Sequence, residues 1–589
     1  MSKLALLRGA TDLSDVARLL AFKPSSLAYF LYIRPDALKY TEFSIPKRHG
    51  GSRKICAPMD RIKVLQQHLS ELLQDCLEEL EQASQRKHSS AHGFKRNRSI
   101  MTNAAEHRNR RFVFNSDIKD FFPSINFGRV RGFFIKDRQF ALNPSVATVI
   151  AQIACHNNAL PQGSPSSPVI SNLIAHVLDT HLVRLAEQVG CHYTRYADDL
   201  TFSTNKADFP KAIADRSSNE ANKWVAGKSL LAIVSKSGFA LNGAKTRMQY
   251  CNSRQEVTGL VVNEKINVRN EYRHKLRALV FRLINTGRFD LTYQSVDVSG
   301  NKTKNVVPAS PLQLKGMLAF VDSVDIAQRD HAIRRLDASH QDQQIKFERY
   351  KLVRKENTYR RFLMFNEFFS TPKPVVICEG PTDRVYIRCA VTRLASSFPT
   401  LATTNAAGQV SLNFRRYKFD NSNTNRVLKI HGGASQLKGF IAEYRSTAEK
   451  FRAPGPFEPV IILVDNDDGP EELFKYLTNV NKVTEPRKER FIHVCANIYV
   501  VPTPLGSGDS PTCIEDLFPP EVFKEEIEGK KFNPKKKHAD NEKFYGKNIF
   551  ADKVILPKVD TINFDAFMPL LANIELVINT HRKNHPKPK

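Results

Sequence analysis

The tetrapeptide Tyr196–Asp199 reads Tyr-Ala-Asp-Asp and places two adjacent carboxylates between two short β-like segments. Arg195 precedes it and the apolar run Leu200–Phe202 follows it, which predicts a bend between two strands. Two neighbouring carboxylates repel each other, so the pair is a poor structural choice without a cation between them. Mg²⁺ is the natural cation, because it takes carboxylate oxygens together with substrate phosphates. The pair therefore predicts a site for metal-dependent phosphoryl transfer.

A further carboxylate for this site is expected upstream, at Asp117. This residue ends the strand-like run Phe112–Asp117, and the next turn can present it beside the first pair. Between the two lies the segment Leu160–Pro168, whose proline and glycine residues predict a rigid, non-helical loop before an apolar helix over 169–178. Such a loop suits close contact with a nucleotide or a template backbone.

These segments, in this order, resemble motifs A, B and C of reverse transcriptases. A bare Asp-Asp pair is more often a solvated turn, so the order and spacing carry the interpretation. Asn103–His107 and Val257–Gly259 resemble the two short signatures that separate bacterial retron reverse transcriptases from group II intron and retroviral relatives. The resemblance covers roughly residues 15 to 325. It implies a right-hand polymerase with fingers, palm and thumb over residues 1–325.

The resemblance also implies roles for single residues. The catalytic, metal-binding carboxylates would be Asp117, Asp198 and Asp199, with Mg²⁺ expected and Mn²⁺ as an alternative. The nucleotide-binding residues would be Arg53, Ile118 through its carbonyl, Phe122, Gln162 and Lys245. The RNA-binding residues would be Asn103, His107, Val257, Thr258 and Gly259.

Two of these nucleotide contacts, Arg53 and Phe122, have a physical reason. A planar guanidinium at Arg53 can bind phosphate oxygens with two hydrogen bonds. A ring at Phe122 under the sugar leaves no space for a 2′-hydroxyl, which selects dNTPs, although Phe121 and Phe122 could also both be core residues. Lys245 is placed near the triphosphate, and a plain surface lysine fits the sequence equally well.

Composition agrees with a polyphosphate partner. The 589 residues include 88 Lys and Arg against 60 Asp and Glu, for a net charge of +28. Such an excess predicts salt-dependent binding of nucleic acid. The nine cysteines form no Cys-x-x-Cys pattern, and no apolar run is long enough to span a bilayer. We therefore expect a cytoplasmic protein of several domains, with reduced thiols, no structural zinc and no membrane segment.

A second acidic site is predicted after a helical linker at 326–372. The segment Pro374–Cys378 is a continuous apolar strand of the buried parallel type, and Glu379 to Asp383 follow it. A similar strand, Pro459–Val464, leads into Asp465–Gly469. Carboxylates at the carboxyl ends of neighbouring parallel strands converge on one crevice. The sequence thus predicts an α/β domain with a parallel sheet over residues 373–589, ending in a basic tail.

This pattern resembles a TOPRIM domain, the metal-binding module of topoisomerases, primases and overcoming-lysogenization-type nucleases. The resemblance implies that Glu379 is the catalytic acid or base and that Asp383, Asp465 and Asp467 bind the metal. Glu515, in Ile514–Leu517, is a further candidate, although that run is also an ordinary helix start. The overall fold class is therefore multidomain α+β and α/β.

The combined resemblance is to a retron reverse transcriptase fused to a TOPRIM domain. It implies an RNA-directed DNA polymerase that copies a cognate noncoding RNA into branched, RNA-linked single-stranded DNA (msDNA). The fused domain would be a Mg²⁺-dependent nuclease that acts on a nucleic acid in antiphage defence. Two alternatives stay open, a non-catalytic binding module in the second domain and an intron-maturation-type reverse transcriptase. Homo-oligomer formation also stays open.

Overall fold

A computed structural model of the chain describes residues 2–46, 52–84, 90–217, 223–296, 302–333, 355–420, 422–533 and 543–586. It divides into two compact units. Unit 1 contains Met1–Tyr272, Thr292–Asn305 and Val324–Arg335, and unit 2 contains Arg273–Leu291, Val306–Ser323 and Leu336–Lys589. The predicted boundaries at 325 and 372 differ from this division, because 273–291 and 306–323 cluster with the C-terminal part. Residues 334–354 of the predicted linker and 587–589 of the predicted tail lie outside the described residues.

The helices of the first half precede, separate and follow the predicted polymerase segments along the chain. Their bounds are α1 Lys3–Gly9, α2 Leu13–Leu19, α3 Pro24–Ala28, α4 Asp60–Ser84, α5 Ile100–Glu106, α6 Phe127–Lys136, α7 Pro144–Ala154, α8 Ser167–Gln188, α9 Lys228–Lys236, α10 Asn270–Thr286 and α11 Pro311–Ile333. Proline at the first or second position begins α7 and α8, where its missing N–H costs nothing. The apolar residues of α7 are buried, which places this helix in the core of unit 1.

The central sheet of unit 1 is antiparallel. It contains β3 Phe112–Asp117, β4 His192–Tyr196, β5 Asp199–Thr204 and β8 Arg247–Tyr250, in the order β4-β5-β3-β8. Apolar side chains of β3 and β5, such as Phe114 and Phe202, are fully buried and belong to the same core as α6, α7 and α8. The structure confirms the strand predicted at 112–117 and the bend predicted at Asp198–Asp199.

Short two-stranded pairings also occur in this half of the chain. They are β1 Tyr40–Pro46 with β2 Ser52–Pro58, β6 Ala214–Arg216 with β7 Trp224–Ala226, β9 Glu256–Val257 with β10 Leu260–Val261, and β11 Asp290–Val296 with β12 Lys302–Pro308. The β1 and β2 strands pair in antiparallel register from Tyr40–Pro58 to Pro46–Ser52. The β9–β10 turn carries Thr258 and Gly259.

Unit 2 is built on a five-stranded sheet in the order β16-β13-β17-β19-β18. Its strands are β13 Val375–Cys378, β16 Arg415–Arg416, β17 Val460–Val464, β18 Ile492–Cys495 and β19 Ile498–Pro502. The strand β13 pairs in parallel with β16 and β17, β17 pairs in parallel with β19, and β18 is antiparallel. All residues of β13 and β17 are buried, as continuous apolar strands covered on both faces require.

Helices and smaller strands complete unit 2. The helices after α11 are α12 Asn357–Met364, α13 Asp383–Arg393, α14 Asn423–Leu428, α15 Ala434–Ala448, α16 Glu471–Asn481, α17 Lys547–Ile549 and α18 Met568–Asn584. The remaining strands are β14 Ala402–Thr404, β15 Val410–Leu412, β20 Lys531–Phe532 and β21 Phe544–Tyr545. No helix among the described residues is both long and apolar enough to cross a membrane.

Candidate functional site

The strand register of unit 1 brings the three predicted carboxylates to one place. Asp117 and Asp199 are direct partners at the end of the β3–β5 pairing. Asp198 lies in the two-residue turn between β4 and β5. The N–H of Ile118 donates a hydrogen bond of 2.9 Å to the Asp198 carbonyl, which fixes the turn against β3. The three carboxylate residues therefore lie together at this end of the sheet, and their role as metal ligands stays a prediction.

The electrostatics around these three carboxylates favour a bound cation. Burial, reinforced by Asp117, raises the pKa of Asp198. Burial and the two neighbouring carboxylates raise the pKa of Asp199 to about 6. The Lys245 ammonium donates a hydrogen bond of 2.7 Å to Asp117 Oδ2. Burial alone would lower the pKa of Lys245, but the bond to Asp117 and the charges of the other two carboxylates raise it.

The three carboxylates are a donor set that fits Mg²⁺. Among the described residues, no three histidine, cysteine or carboxylate side chains are already gathered into a metal site. Mg²⁺ does not require such a cage, because it usually binds one or two carboxylates and completes its coordination with water and substrate phosphates. When bound, it would neutralise charge on the transferring phosphoryl group. Asp117, Asp198 and Asp199 are the residues that would hold it.

A buried ion pair holds the carboxylate turn. The Arg195 side chain is fully buried and binds the Asp179 carboxylate through two hydrogen bonds of 2.8 and 2.7 Å. Its third nitrogen donates to the Ala197 carbonyl at 3.0 Å. Ala197 has φ +56°, and a Cβ on Gly93 would lie 2.5 Å from its nitrogen. Arg195 therefore fixes the backbone that presents Asp198 and Asp199. Gly93 has no side chain, which leaves room for the Ala197 backbone.

The β1–β2 hairpin and the Pro-Gln-Gly loop also contact each other. The N–H of Cys56 donates to the Gln162 carbonyl at 2.8 Å. Gly163 has φ +123°, and a Cβ there would approach the Cys56 carbonyl oxygen to 2.9 Å, so glycine is needed. Arg53 is exposed on β2, and its charge partly opposes the rise in the pKa of Asp198. The structure thus places Arg53 within electrostatic reach of Asp198.

The two neighbouring phenylalanines have different environments. Phe121 is 3% exposed and belongs to the core. Phe122 is half-buried, and its ring centroid lies 5.5 Å from that of Phe121 and 6.1 Å from that of Phe94. Phe122 is therefore the more accessible of the two rings, and its role as the gate stays a prediction.

The predicted RNA contacts need a correction. Asn103, His107 and Val257 are at most 1% exposed, so their side chains do not reach RNA in this structure. His107 instead bonds Ser203 Oγ and Thr194 Oγ1, each at 2.7 Å, and burial lowers its pKa to about 3. It therefore joins the end of α5 to the strands that carry the catalytic turn.

Thr258 and Gly259 differ from the three buried signature residues. Thr258 is half-buried and its hydroxyl donates to the Ile100 carbonyl at 3.3 Å. Gly259 is exposed with φ +80°, and a Cβ there would meet open space. The β9–β10 turn is therefore the accessible part of the two signatures, and it is attached to α5.

The second acidic cluster lies at the carboxyl ends of β13 and β17. Glu379 Oε2 accepts a hydrogen bond of 3.3 Å from the N–H of Asp465. Asp383, at the start of α13, accepts one of 2.7 Å from the N–H of Gly380. Asp465 Oδ1 accepts another of 2.9 Å from the N–H of Ile514, which brings Glu515 to the cluster. Asp467 follows two residues after Asp465, and its charge contributes to the raised pKa of Glu379.

Repulsion within this cluster is strong. Burial, with Asp383, Glu379 and Glu515 as neighbours, raises the pKa of Asp465 to about 8. Burial is also the main cause that raises the pKa of Glu379 and Asp383. These carboxylates are oxygen ligands whose charges are only partly compensated, which is the donor chemistry that Mg²⁺ suits.

Sequence reasoning missed Lys547 at this site. Its ammonium lies 2.9 Å from the carboxylate of the buried Glu515. Burial alone would lower the pKa of Lys547, but Glu515, Asp465 and Asp383 raise it. Lys547 follows Gly546 in a segment rich in lysines, and no spacing connects it to Glu515 in the sequence. Only the tertiary fold identifies it as the basic member of the cluster.

The geometry of unit 1, with three carboxylates at one end of an antiparallel sheet, defines a palm-type polymerase. Residues 45–263 match the family model "Reverse transcriptase (RNA-dependent DNA polymerase)". The chain is 33% identical to the retron Mx65 reverse transcriptase of Myxococcus xanthus, over 54% of this chain and 70% of that protein. It is 30% identical to the retron Ec86 reverse transcriptase of Escherichia coli, over 46% of this chain and 78% of that protein.

The chain therefore belongs to the retron reverse transcriptases, and its palm is that of an RNA-directed DNA polymerase. Among solved structures, it is similar to the telomerase of Candida albicans in complex with a fragment of telomeric RNA. That match has 10% identity and a TM-score of 0.30, and covers 69% of this chain and 64% of that chain.

Replacing Phe122 by alanine should relax sugar selection. The open space under the sugar would admit a 2′-hydroxyl, so the preference for dNTPs over rNTPs should fall by at least about tenfold. Primer extension with each nucleotide set measures this ratio. Phe491→Ala, in unit 2, is the matched control and should leave it unchanged. An active Phe122→Ala variant that still rejects rNTPs would show that the gate lies elsewhere.

Asp465 makes the stability of unit 2 depend on pH. Its pKa is about 8 in the folded protein against an ordinary 3.8, so the folded state binds a proton more tightly than the unfolded state. This stabilisation is fully present below pH 3.8 and is lost as pH rises through about 8. In a chelating buffer, Tm should therefore fall between these values, and Asp465→Asn should flatten the decline. Equal slopes for Asp465→Asn, wild type and the exposed control Asp552→Asn would contradict this account.

Proposed function

We propose that the protein copies a cognate structured noncoding RNA into branched, RNA-linked single-stranded DNA, using dNTPs and Mg²⁺. The observation that carries this proposal is the convergence of Asp117, Asp198 and Asp199, with Arg53 in electrostatic reach. Arg53 would bind the triphosphate while the carboxylates hold the metal. Gln162, in the loop against β2, would lie beside the new base pair.

Recognition of the cognate RNA is assigned to the β9–β10 turn. Thr258 and Gly259 are its accessible residues, and the exposed glycine lets a phosphate backbone approach closely. Thr258 bonds Ile100 at the start of α5, and His107 at the end of this helix bonds the two strands that flank the Ala197–Asp198 turn. RNA docking and the catalytic carboxylates would thus share one rigid frame.

The double variant Asp198→Asn with Asp199→Asn tests the polymerase assignment. DNA synthesis should fall below detection, because the carboxylates stabilise charge that develops during transfer. RNA affinity should stay within about threefold, because it comes from many dispersed basic contacts. Asp208→Asn, an exposed carboxylate just after β5, is the matched control and should keep full activity. Undiminished synthesis by the folded double variant would remove these residues from the active site.

We propose further that unit 2 contains a TOPRIM-type nuclease that acts as the effector of an antiphage system. In support, Glu379, Asp465 and Asp467 lie at the ends of two parallel strands, and Asp383 and Glu515 complete the cluster. A domain that only binds nucleic acid gains nothing from such repulsion. A Mg²⁺-dependent phosphodiesterase needs closely spaced carboxylates, because the bound metal relieves their repulsion and supplies the activated water.

Glu379→Ala and Asp465→Ala test the effector role. Both should leave DNA synthesis intact while removing Mg²⁺-dependent nuclease activity and protection of cells against phage. Loss of a repelling carboxylate should cost little stability. Asp552→Ala is the control for removing an exposed acidic side chain from unit 2. Full phage protection by the Glu379→Ala form would favour the alternative, a binding module without turnover.

A further inference from the structure

Three guanidinium groups cluster on unit 2, apart from the residues assigned so far. Arg384 and Arg388 lie one turn apart on α13, and Arg416 lies on the edge strand β16. The Arg416 guanidinium donates a hydrogen bond of 3.2 Å to the Arg384 carbonyl, which fixes the two elements together. Arg384 and Arg416 are half-buried and Arg388 is exposed. We refer to these three residues as the arginine cluster.

The arginine cluster has no protein counter-charge among the described residues. Neighbouring arginines have a carboxylate partner: Arg415 pairs with Glu367 at 2.9 Å, and Arg393 pairs with Asp560 at 3.0 Å. No described carboxylate lies within ion-pair distance of the cluster. Burial, together with Arg388 and Arg384, lowers the pKa of Arg416, as expected for like charges held close together.

Among the cluster's three arginines, only Arg384 contributes to the lowered pKa of Asp420, and its contribution is smaller than that of Lys418. Hydrogen bonds from Ser422 are the main cause that lowers its pKa, and Arg384 contributes only through its longer-range charge. Asp420 is fully exposed and is not in ion-pair contact with any of the three guanidiniums. The positive charge of the cluster is therefore available to an external anion.

The cluster lies next to the second acidic site. The helix α13 begins at Asp383, so Arg384 directly follows a residue of that site. The strand β16 pairs with β13, with Val376 opposite Arg416, and Glu379 follows β13. Asp465 follows β17, which lies on the other side of β13. Arg416 thus lies on the β16 side of β13, opposite to the side on which β17 pairs.

We propose that Arg384, Arg388 and Arg416 bind the phosphate backbone of the nucleic-acid strand on which the acidic site of unit 2 acts. This inference rests on the proposed nuclease function and adds the path of its substrate. Guanidinium groups bind phosphate through paired, charge-assisted hydrogen bonds. One helical turn, about 5.4 Å, separates Arg384 from Arg388, and Arg416 lies on another element, so the cluster suits successive phosphates better than a single one.

Hydrogen exchange on the full chain tests this inference locally, independently of nucleic acid bound to unit 1. The protein carries Asp465→Asn so that it does not cut the probe, a single-stranded DNA or RNA of about 20 nucleotides. The probe should protect α13 and residues 415–418 from exchange. The variant Arg384→Gln with Arg388→Gln should lose this protection, and Arg393→Gln, on the same helix, should keep it. Arg384→Lys with Arg388→Lys, which retains both charges, should show intermediate protection.

A kinetic measurement separates this inference from the nuclease proposal. In the chain with Asp465 intact, the Gln double variant should raise KM for the same probe about tenfold and leave kcat within about twofold. It should also reduce the dependence of log affinity on log salt by about 0.7 for each lost contact.

The outcomes are distinguishable. Absence of protection on α13, or protection that persists in the Gln double variant, would overturn the arginine-cluster site. If cleavage requires Glu379 but is unchanged in the Gln double variant, the arginine-cluster site is wrong and the nuclease proposal is still supported. Protection that depends on the arginines, without cleavage by the intact chain, would support the phosphate site and contradict the nuclease.

Discussion

Repulsion among buried carboxylates is the constraint on which both candidate sites depend. Burial, reinforced by this repulsion, raises the pKa of Asp199 to about 6 in unit 1 and that of Asp465 to about 8 in unit 2. Each site contains a lysine that relieves part of the repulsion, Lys245 on Asp117 and Lys547 on Glu515. One ammonium does not balance several carboxylates, so each pocket retains affinity for a divalent cation and the phosphates that accompany it.

The surrounding fold is organised to tolerate this repulsion. In unit 1, the buried Arg195–Asp179 pair fixes the Ala197 carbonyl, so the catalytic turn does not relax away from Asp117. Breaking such a pair would leave an uncompensated buried charge, which typically costs about 3–5 kcal/mol. In unit 2, the backbone N–H groups of Gly380, Asp465 and Ile514 donate to the acidic side chains. These backbone donors thus fix the positions of the acidic side chains.

The sequence predicted those site residues that are positioned by short patterns of neighbouring residues. The order of Asp117, the Pro-Gln-Gly loop and the Asp198–Asp199 pair was sufficient to predict one pocket, because strand ends and tight turns follow from short patterns. It did not show that His107 is buried beneath the catalytic strands or that Lys547 reaches Glu515, since both depend on contacts between distant segments. The TOPRIM assignment and the roles of Arg53 and Phe122 stay predictions.

Sequencing the nucleic acid that copurifies with the full chain tests the central claim most directly. The account predicts a branched species in which single-stranded DNA is joined to the 2′-hydroxyl of an internal nucleotide of one RNA. The same RNA without DNA should copurify with the protein that lacks the Asp198 and Asp199 carboxylates. Recovery of linear DNA only, or of unrelated RNAs with no attached DNA from the wild-type chain, would contradict the account.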